Sequence, residues 1–551
     1  MFDRGVDRRR LLAALSAIAV VALLARFVAL GERVFHWDEA RVGYWTLRYL
    51  ETGVWEYRPI VHGPLLFHVN KYLFGIVGAS DAVARSFVAL VGGLLPLGAW
   101  LFRNRLEDLE VIALALWLAA NPVLLYYSRF MRNDVLVAGF ALLAVGFVVR
   151  YLDAHHEWSL YAAAFALALA FGTKEIALVF VGVWIGALGL LLDRRLLVAG
   201  EVGADRLSLV STLVRRVARG IWSARRTLAV AGFEFLLVIV FLYAPRPDLY
   251  RIVANPGMVP DVVYAATVGS ARDLFGVWIK GGHEHSYVAY LLDAVRTTGV
   301  TSLPLVAFAV FGFLTERYSG DPPRDVVFFA FYWGGAIFLI YPAITDISAP
   351  WGIVHALVPL AIPAAVGIGV ILDWGFEARE HGDSISVGLA AMIVLLVAGQ
   401  VAVTGYVTAY REPQDDDNPL VQYGQPAGHL RPTLSDIRTL SRENAGTDVV
   451  FYGEHFAVES ESVAMRYPAS SDWLNRLPLA WYLERADART ASAMSPEQID
   501  GNPPVVIARV KHYGELDDRL PGYVARTYEL TASGTETVFF LDRSALNNTR
   551  T

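Results

Sequence analysis

Two adjacent carboxylates, Asp38 and Glu39, follow the first long apolar segment of the chain, which runs from Leu11 to Leu30. A carboxylate at the outer mouth of a membrane span can accept a proton from a hydroxyl group or hold a divalent cation. The same residues could also be solvated loop acids or a helix cap. We take Asp38 and Glu39 as the candidate catalytic pair.

Basic and histidine side chains in the same loop could bind a phosphate or another part of a substrate. The candidates there are Arg58, His62 and Lys71. A second set lies further along the chain, at Arg129, Arg132, Asp134 and Lys174. The planar guanidinium of arginine suits phosphate because it donates two parallel hydrogen bonds. Two alternatives stay open: Asp134 could cap a helix, and Lys174 could pair with Glu175 at a turn.

A third group, His283-Glu284-His285, could bind a divalent metal cation. Such a short cluster is weak evidence, so His283 and His285 are only candidate ligands. Glu234 lies within an apolar run, where an acid is either functional or paired with a neighbouring helix.

The composition indicates that these residues sit in a membrane protein. Of 551 residues, 55% are hydrophobic and 18% are charged, which is unlike a soluble protein. From Tyr410 onward the chain has 21 acidic and 14 basic residues. This acidic balance argues against nucleic acid as a partner, and no glycine-rich phosphate loop or dinucleotide-binding fingerprint occurs.

Apolar runs predict about eleven membrane-spanning helices. The basic residues predict their orientation: with the amino terminus in the cytoplasm, the inner loops and the amino-terminal tail contain 18 Arg, whereas the short outer loops contain only Arg129, Arg132 and Lys174. The first segment is then an uncleaved signal anchor, and Asp38, Arg132 and Lys174 share the outer side. The predicted spans lie near 11–30, 86–102, 109–127, 134–149, 159–171, 176–192, 227–244, 299–314, 326–342, 352–372 and 386–409.

A change in composition near residue 410 predicts two domains. Residues 1–409 form the membrane domain, with large outer loops at about 31–85 and 245–298. Residues 411–418 contain a proline and three aspartates, which is typical of a linker. Beyond it, β-rich runs at 448–452, 505–510 and 536–541 and a helical stretch at 477–488 predict an extracytoplasmic α/β domain over 410–551.

The order of these motifs resembles the GT-C superfamily of polytopic glycosyltransferases, which includes protein O-mannosyltransferases and aminoarabinose transferases. The resemblance covers about residues 11–409. Its proline-rich element is altered here to His62-Gly63-Pro64-Leu65. More narrowly, His283-Glu284-His285 and the segment 452–456 resemble an archaeal flippase-activity-associated group of protein N-glycosylation. The matching positions are Asp38-Glu39, Ala84-Arg85, Arg129, Asp134, Lys174 and Pro350-Trp351.

The resemblance implies a multi-pass cell-membrane enzyme of the hexosyltransferase type. It would move a sugar from a polyprenyl (dolichyl) phosphate donor to an acceptor glycan or protein at the outer membrane face. Asp38 would be the general base, Arg129, Arg132 and Lys174 would stabilise the leaving phosphate, and Glu39 and His285 would hold a cation or hydroxyl groups. A metal is compatible with this scheme but not required.

Two other functions fit the same residues. A flippase or flippase-associated factor would bind the lipid-linked sugar through the same cations without breaking a bond, and Glu234 would line its path. A scaffold would instead act through the extracytoplasmic domain, which should then remain essential when Asp38 is replaced.

Overall fold

A computed structural model describes residues 8–59, 62–201, 206–280, 285–319, 323–345, 347–465, 469–531 and 534–548. Its first part is helical. The helices up to residue 243 are α1 (Arg8–Phe27), α2 (Trp37–Thr52), α3 (Leu65–Val77), α4 (Asp81–Leu94), α5 (Asp108–Ala120), α6 (Pro122–Tyr127), α7 (Asp134–Ala154), α8 (Glu157–Thr173), α9 (Ile176–Glu201), α10 (Arg206–Ser223) and α11 (Arg225–Tyr243).

The remaining chain continues with helices and then adds five strands. The helices are α12 (Asp248–Arg251), α13 (Val259–Tyr264), α14 (Ser270–Lys280), α15 (Tyr287–Thr301), α16 (Leu303–Ser319), α17 (Asp325–Ile344), α18 (Val354–Glu380), α19 (Ser384–Tyr406), α20 (Arg431–Glu443), α21 (Glu461–Ala464), α22 (Ser471–Leu474), α23 (Leu479–Arg485), α24 (Tyr513–Arg519) and α25 (Arg543–Asn548). The strands are β1 (Val449–Tyr452), β2 (Thr490–Ala493), β3 (Val505–Arg509), β4 (Tyr523–Glu529) and β5 (Glu536–Asp542).

Many of these helices can cross a membrane. Within the described residues, eight are long and apolar enough, and the bent pair α15–α16 would make nine. The other two of the eleven predicted spans also form helices. One is α8, with 17 residues, and the other is interrupted between α5 and α6. The polytopic helical architecture predicted from the sequence is confirmed.

Two of the predicted spans are broken at polar residues. Asn121 ends α5, and its side chain accepts hydrogen bonds from the first free amides of α6, where Pro122 has no amide to donate. Ser302 separates α15 from α16, which meet at 97°. The Asn121 amide donates to Ser302 Oγ at 2.9 Å. The two breaks are therefore joined by one buried hydrogen bond.

By its internal contacts the chain divides into two compact units. Unit 1 comprises 1–29, 54–68 and 85–411, and unit 2 comprises 30–53, 69–84 and 412–551. The most buried candidate span of unit 1 is the segment Pro350–Glu380. Its Gly367 and Gly312 of α16 allow close backbone approach, because a Cβ atom on either would lie less than 3 Å from backbone atoms of the other helix.

Unit 2 contains a five-stranded sheet with the strand order β2-β1-β3-β5-β4. Strand β1 pairs in parallel with β2 and β3, whereas β5 is antiparallel to β3 and β4. Apolar residues on one face of the sheet pack with α20 and α23, and those on the other face pack with α24. This arrangement confirms the predicted α/β domain.

Two segments from the first loop complete unit 2. Val34 lies in the same apolar cluster as α20 and β1, and Phe35 stacks on Trp481 with ring centroids 4.8 Å apart. The carboxylate of Asp81 accepts hydrogen bonds from Trp481, Tyr482 and Arg485 at 3.0, 3.0 and 2.7 Å. The sequence predicts residues 31–85 as an outer loop of the membrane domain, whereas much of this stretch, 30–53 and 69–84, belongs to unit 2 with the sheet.

Candidate active site

A buried cluster of charged side chains surrounds Asp134 in unit 1. Lys174 Nζ lies 2.7 Å from Asp134 Oδ1, and Arg132 Nε lies 3.1 Å from Oδ2. His355 Nε2 lies 3.2 Å from Oδ1. We refer to Arg132, Asp134, Lys174 and His355 as the Asp134 cluster. All four side chains are less than 10% exposed.

Aromatic rings line this cluster. The Arg132 guanidinium lies 3.8 Å from the ring centre of Trp351, a cation–π contact. The ring of Tyr341 stacks on His355 at 5.1 Å, and its hydroxyl lies 3.5 Å from Lys174 Nζ. The rings shield the charges from water, so electrostatic interactions in the cluster are stronger than at a surface.

Two cations of the Asp134 cluster, Arg132 and Lys174, are buried around the single carboxylate of Asp134. Buried cations of this kind can donate charge-assisted hydrogen bonds to an anion. In addition, His355 Nδ1 is buried and has no hydrogen-bond partner among the described residues. The cluster is therefore suited to an anionic group.

Helix ends position these side chains. Asp134 begins α7, Lys174 follows the last residue of α8, and His355 lies in the first turn of α18. The alternative that Asp134 caps α7 differs from the structure, because the Asp134 carboxylate contacts Lys174, Arg132 and His355 instead. The alternative that Lys174 pairs with Glu175 also differs from the structure, in which Lys174 pairs with Asp134.

Glu175 points to a second cluster at the same turn. Its carboxylate lies 3.3 Å from His62 Nδ1 and accepts a hydrogen bond from Tyr57 at 2.8 Å. Burial alone would raise the pKa of Glu175, but the hydrogen bond and charge of His62 lower it below the ordinary value. The amide of Gly63 donates to the Thr173 carbonyl at 3.0 Å, which fixes the His62 loop beside the turn.

In unit 2, Asp38 and Glu39 occupy the first turn of α2 but differ in exposure. Glu39 is fully buried, pairs with Arg33 at 3.0 Å, and accepts the amide of His36 in a capping box. The Asp38 carboxylate is 29% exposed and lies 3.8 Å from His36 Nδ1. Of the two candidate catalytic residues, Glu39 has a position typical of a helix cap and Asp38 is accessible to solvent.

The sequence also predicts Arg129, Lys71 and Arg58 as phosphate ligands. The Arg129 guanidinium donates to carbonyl oxygens at the end of α1, including that of Val28 at 2.6 Å, and covers the ring of Tyr410. In unit 2, Lys71 Nζ lies 4.2 Å from the ring centre of Tyr49. Arg58 is half-buried in the segment 54–59. Binding of phosphate by these three residues stays a prediction.

The predicted metal site is only partly covered by the structure. His283 lies outside the described residues, and His285 Nε2 lies 2.9 Å from the Thr345 carbonyl oxygen. This contact makes Nε2 a donor, so only Nδ1 of His285 could bind a metal. Within the described ranges, no three His, Asp or Glu side chains form a metal-binding group.

Sequence reasoning missed His355, Tyr341 and the partnership of Glu175 with Tyr57. A signal for His355 was present, because it is a single ionisable residue in the apolar run 352–372. Such residues are functional candidates by default. Nothing in the sequence links it to Asp134, which is 221 positions away.

Two family models match parts of the chain. Residues 61–201 match the family described as dolichyl-phosphate-mannose-protein mannosyltransferase. Residues 430–542 match the C-terminal domain of the Agl23 flippase-associated protein. A comparison with curated protein sequences gave no match.

Solved structures resemble nearly the whole chain. ArnT from Cupriavidus metallidurans bound to undecaprenyl phosphate is 16% identical, with 96% of this chain and 98% of ArnT covered and a TM-score of 0.57. The same protein in its apo state, with equal identity and coverage, gives a TM-score of 0.53. The oligosaccharyltransferase AglB from Archaeoglobus fulgidus is 14% identical over 96% of this chain and 74% of its own, with a TM-score of 0.48.

These matches confirm the resemblance seen in the sequence. The chain is a polytopic membrane protein with a GT-C-type fold like that of ArnT; residues 61–201 resemble a mannosyltransferase family, and residues 430–542 resemble the Agl23 flippase-associated C-terminal domain.

Proposed function

We propose that this protein transfers a sugar from a polyprenyl (dolichyl) phosphate donor to a glycan or protein acceptor at the outer membrane face, in protein glycosylation. The observation that carries the proposal is the buried pair of cations, Arg132 and Lys174, next to His355, whose Nδ1 is buried without a hydrogen-bond partner among the described residues. The phosphate of a lipid-linked sugar would bind to these groups. The similar ArnT structure contains undecaprenyl phosphate, which supports a lipid-phosphate ligand.

The chemistry requires two kinds of groups. The acceptor oxygen attacks the anomeric carbon, and the bond from that carbon to the phosphate oxygen breaks with its electron pair going to the phosphate. Arg132 and Lys174 stabilise the charge that grows on the leaving phosphate. The acceptor hydroxyl loses its proton to a general base, for which we propose Asp38 because its carboxylate is accessible.

Asp134 acts as a positioning residue in this scheme. Its two oxygens hold Lys174 and Arg132 at 2.7 and 3.1 Å, so neither long side chain has to be ordered when the phosphate binds. Preordered donors stabilise a developing charge without further reorganisation.

A flippase or flippase-associated function is the second candidate. Its support is the match of residues 430–542 to the Agl23 flippase-associated domain. In that case the cations of the Asp134 cluster would bind the phosphate without bond cleavage, and Glu234, which is half-buried on α11, would line the path of the head group.

Reconstituted vesicles separate the two functions. Purified protein is mixed with a labelled dolichyl-phosphate sugar, and transfer to an acceptor and reorientation of the intact lipid are measured in parallel. We expect transfer, and we expect Asp38→Asn to reduce it by about 100-fold or more, the usual contribution of a general base. Reorientation without transfer would establish the flippase instead. Unchanged glycan masses on secreted glycoproteins of an Asp38→Asn strain, at normal protein level, would remove Asp38 from the mechanism.

Orientation and metal dependence belong to the same proposal. We propose a cytoplasmic amino terminus and an extracytoplasmic unit 2, which protease accessibility in sealed vesicles would test. We also retain a divalent cation at His283 and His285 as a prediction, to be tested by the metal content of the purified wild type and of His285→Ala.

A further inference from the structure

A cavity of about 640 Å³ lies within unit 2, between α2 and the sheet domain. Its walls come from α2, from β1 and from the segments around α21, α22 and α23. The volume is within the range of about 300–1,000 Å³ that is usual for small-molecule sites. Neither Asp38 nor any member of the Asp134 cluster lines it.

Aromatic rings form one wall of this cavity. Tyr44 and Trp473 pack with ring centroids 4.7 Å apart, and Trp45 lies 6.1 Å from Trp473. Tyr44 and Trp473 are buried, whereas Trp45 is half-buried. Tyrosine and tryptophan each combine a flat apolar ring with a polar group, the hydroxyl or the indole N–H. Such side chains suit a ligand that has one apolar face and hydroxyl groups at its edge. A pyranose ring has both features.

Charged side chains also line the cavity, and they occur in pairs. Arg48 lies 3.2 Å from Glu484 and 2.5 Å from Glu51. Arg476 binds both oxygens of Glu461, at 2.6 and 3.1 Å. The third arginine of the lining, Arg489, lies 3.7 Å from Asp448. Each of the three guanidinium groups therefore already faces a carboxylate.

Balanced pairs of this kind select against a phosphate or another anion, which would meet carboxylates as well as cations. They suit hydroxyl groups, because a hydroxyl donates to a carboxylate and accepts from a guanidinium at the same time. Hydrogen bonds to charged partners are also stronger than bonds between neutral groups. The combination of paired charges and an aromatic wall suits an uncharged polyhydroxyl ligand.

We propose that this cavity of unit 2 is a binding site for a short uncharged oligosaccharide. The choice of a carbohydrate rests on the proposed function, whereas binding itself requires no transfer step. The ligand would stack on Trp45, the more exposed of the rings, and place its hydroxyls beside the Arg48–Glu484 pair. The cavity would thus hold the glycan part of a substrate, separately from its phosphate.

Binding can be measured with the full-length protein in nanodiscs, because glucoside and maltoside detergents would compete for the site. The probes are mannotriose and N,N′,N″-triacetylchitotriose, and the readouts are tryptophan fluorescence and calorimetry. We expect saturable binding of at least one probe, about tenfold weaker in Trp45→Ala. Glu484→Gln keeps the shape of the side chain and should also weaken binding. A polyprenyl phosphate without sugar should not displace the probe.

A matched control is Trp222→Ala, because Trp222 is an exposed tryptophan on α10 that does not line the cavity. Its affinity should equal that of the wild type. The proposal is overturned if the folded wild type binds neither probe, or if Trp45→Ala binds as tightly as Trp222→Ala. Because Asp38→Asn should bind normally, a protein that binds the probe but does not transfer sugar would refute the proposed function and leave this site intact.

Discussion

Asp134 and Asp38 both stand in the first turn of a helix, yet their surroundings are opposite. The Asp134 side chain is 1% exposed and is held by a lysine, an arginine and a histidine. The Asp38 side chain is 29% exposed. A buried acid that binds two cations organises a site, whereas an accessible acid at a helix start can exchange protons with a substrate. We therefore propose different roles for two aspartates in the same local position, and their burial is the reason.

Replacement of Asp134 should have the largest effect on stability. Asp134→Asn leaves Arg132 and Lys174 buried without a carboxylate, and the loss of one partner from a buried ion pair costs about 3–5 kcal/mol. The measurement is unfolding of the purified protein in nanodiscs. Asp325→Asn is the matched control, because Asp325 begins α17 but is 42% exposed and pairs with Arg195 at the surface. Its cost should be about 1 kcal/mol or less. If the two variants lost the same free energy of unfolding, the contrast between buried and accessible acids would be wrong.

Neighbouring Glu39 should behave differently from Asp38. Glu39→Gln weakens the buried pair with Arg33 and the capping box, so we expect a loss of about 1–3 kcal/mol in the free energy of unfolding. Sugar transfer per folded molecule should be retained. Asp38→Asn should show the reverse pattern, with near-normal stability and lost transfer. A transfer defect in Glu39→Gln that exceeds its folding defect would give Glu39 a catalytic role.

The smallest expected effect is a dependence of protein stability on pH through Glu175 and its partners His62 and Tyr57. The folded-state pKa of Glu175 lies below its ordinary value of 4.5. The ionised carboxylate therefore stabilises the protein above about that pH, and the contribution is lost as the pH falls through the folded-state pKa. The difference in melting temperature between wild type and Glu175→Gln should shrink as the pH is lowered. A difference that grows toward low pH would contradict the assigned direction.

The sheet domain shows which elements a sequence reveals. Strands β1, β3 and β5 occupy the middle of the sheet, and the apolar runs at 448–452, 505–510 and 536–541 predicted them. Strands β2 and β4 were not predicted. They are the two edge strands, and their side chains are mostly half-buried or exposed. Edge strands bury less surface and therefore lack a continuous apolar run.

The sequence predicts only those residues of the Asp134 cluster that lie at the ends of apolar runs. Arg132, Asp134 and Lys174 were identified because each lies at the end of an apolar run, and predicted topology placed these ends on one side. His355 and Tyr341 come from distant helices, and their packing on Asp134 and Lys174 depends on tertiary structure that periodicity does not encode. The same limit explains why residues 30–53 and 69–84 were not recognised as parts of unit 2.

The hydrogen bonds to Asp81 join segments of the chain that are synthesised far apart in time. The hydrogen-bond partner Trp481 lies 400 positions further along the chain than Asp81. At about 5–20 residues per second, the ribosome needs roughly 20–80 s to reach that partner after Asp81 has been synthesised. Throughout that interval the early segments of unit 2 exist without the sheet that they will complete. Residues 412–551 thus finish a unit that residues 30–53 and 69–84 began.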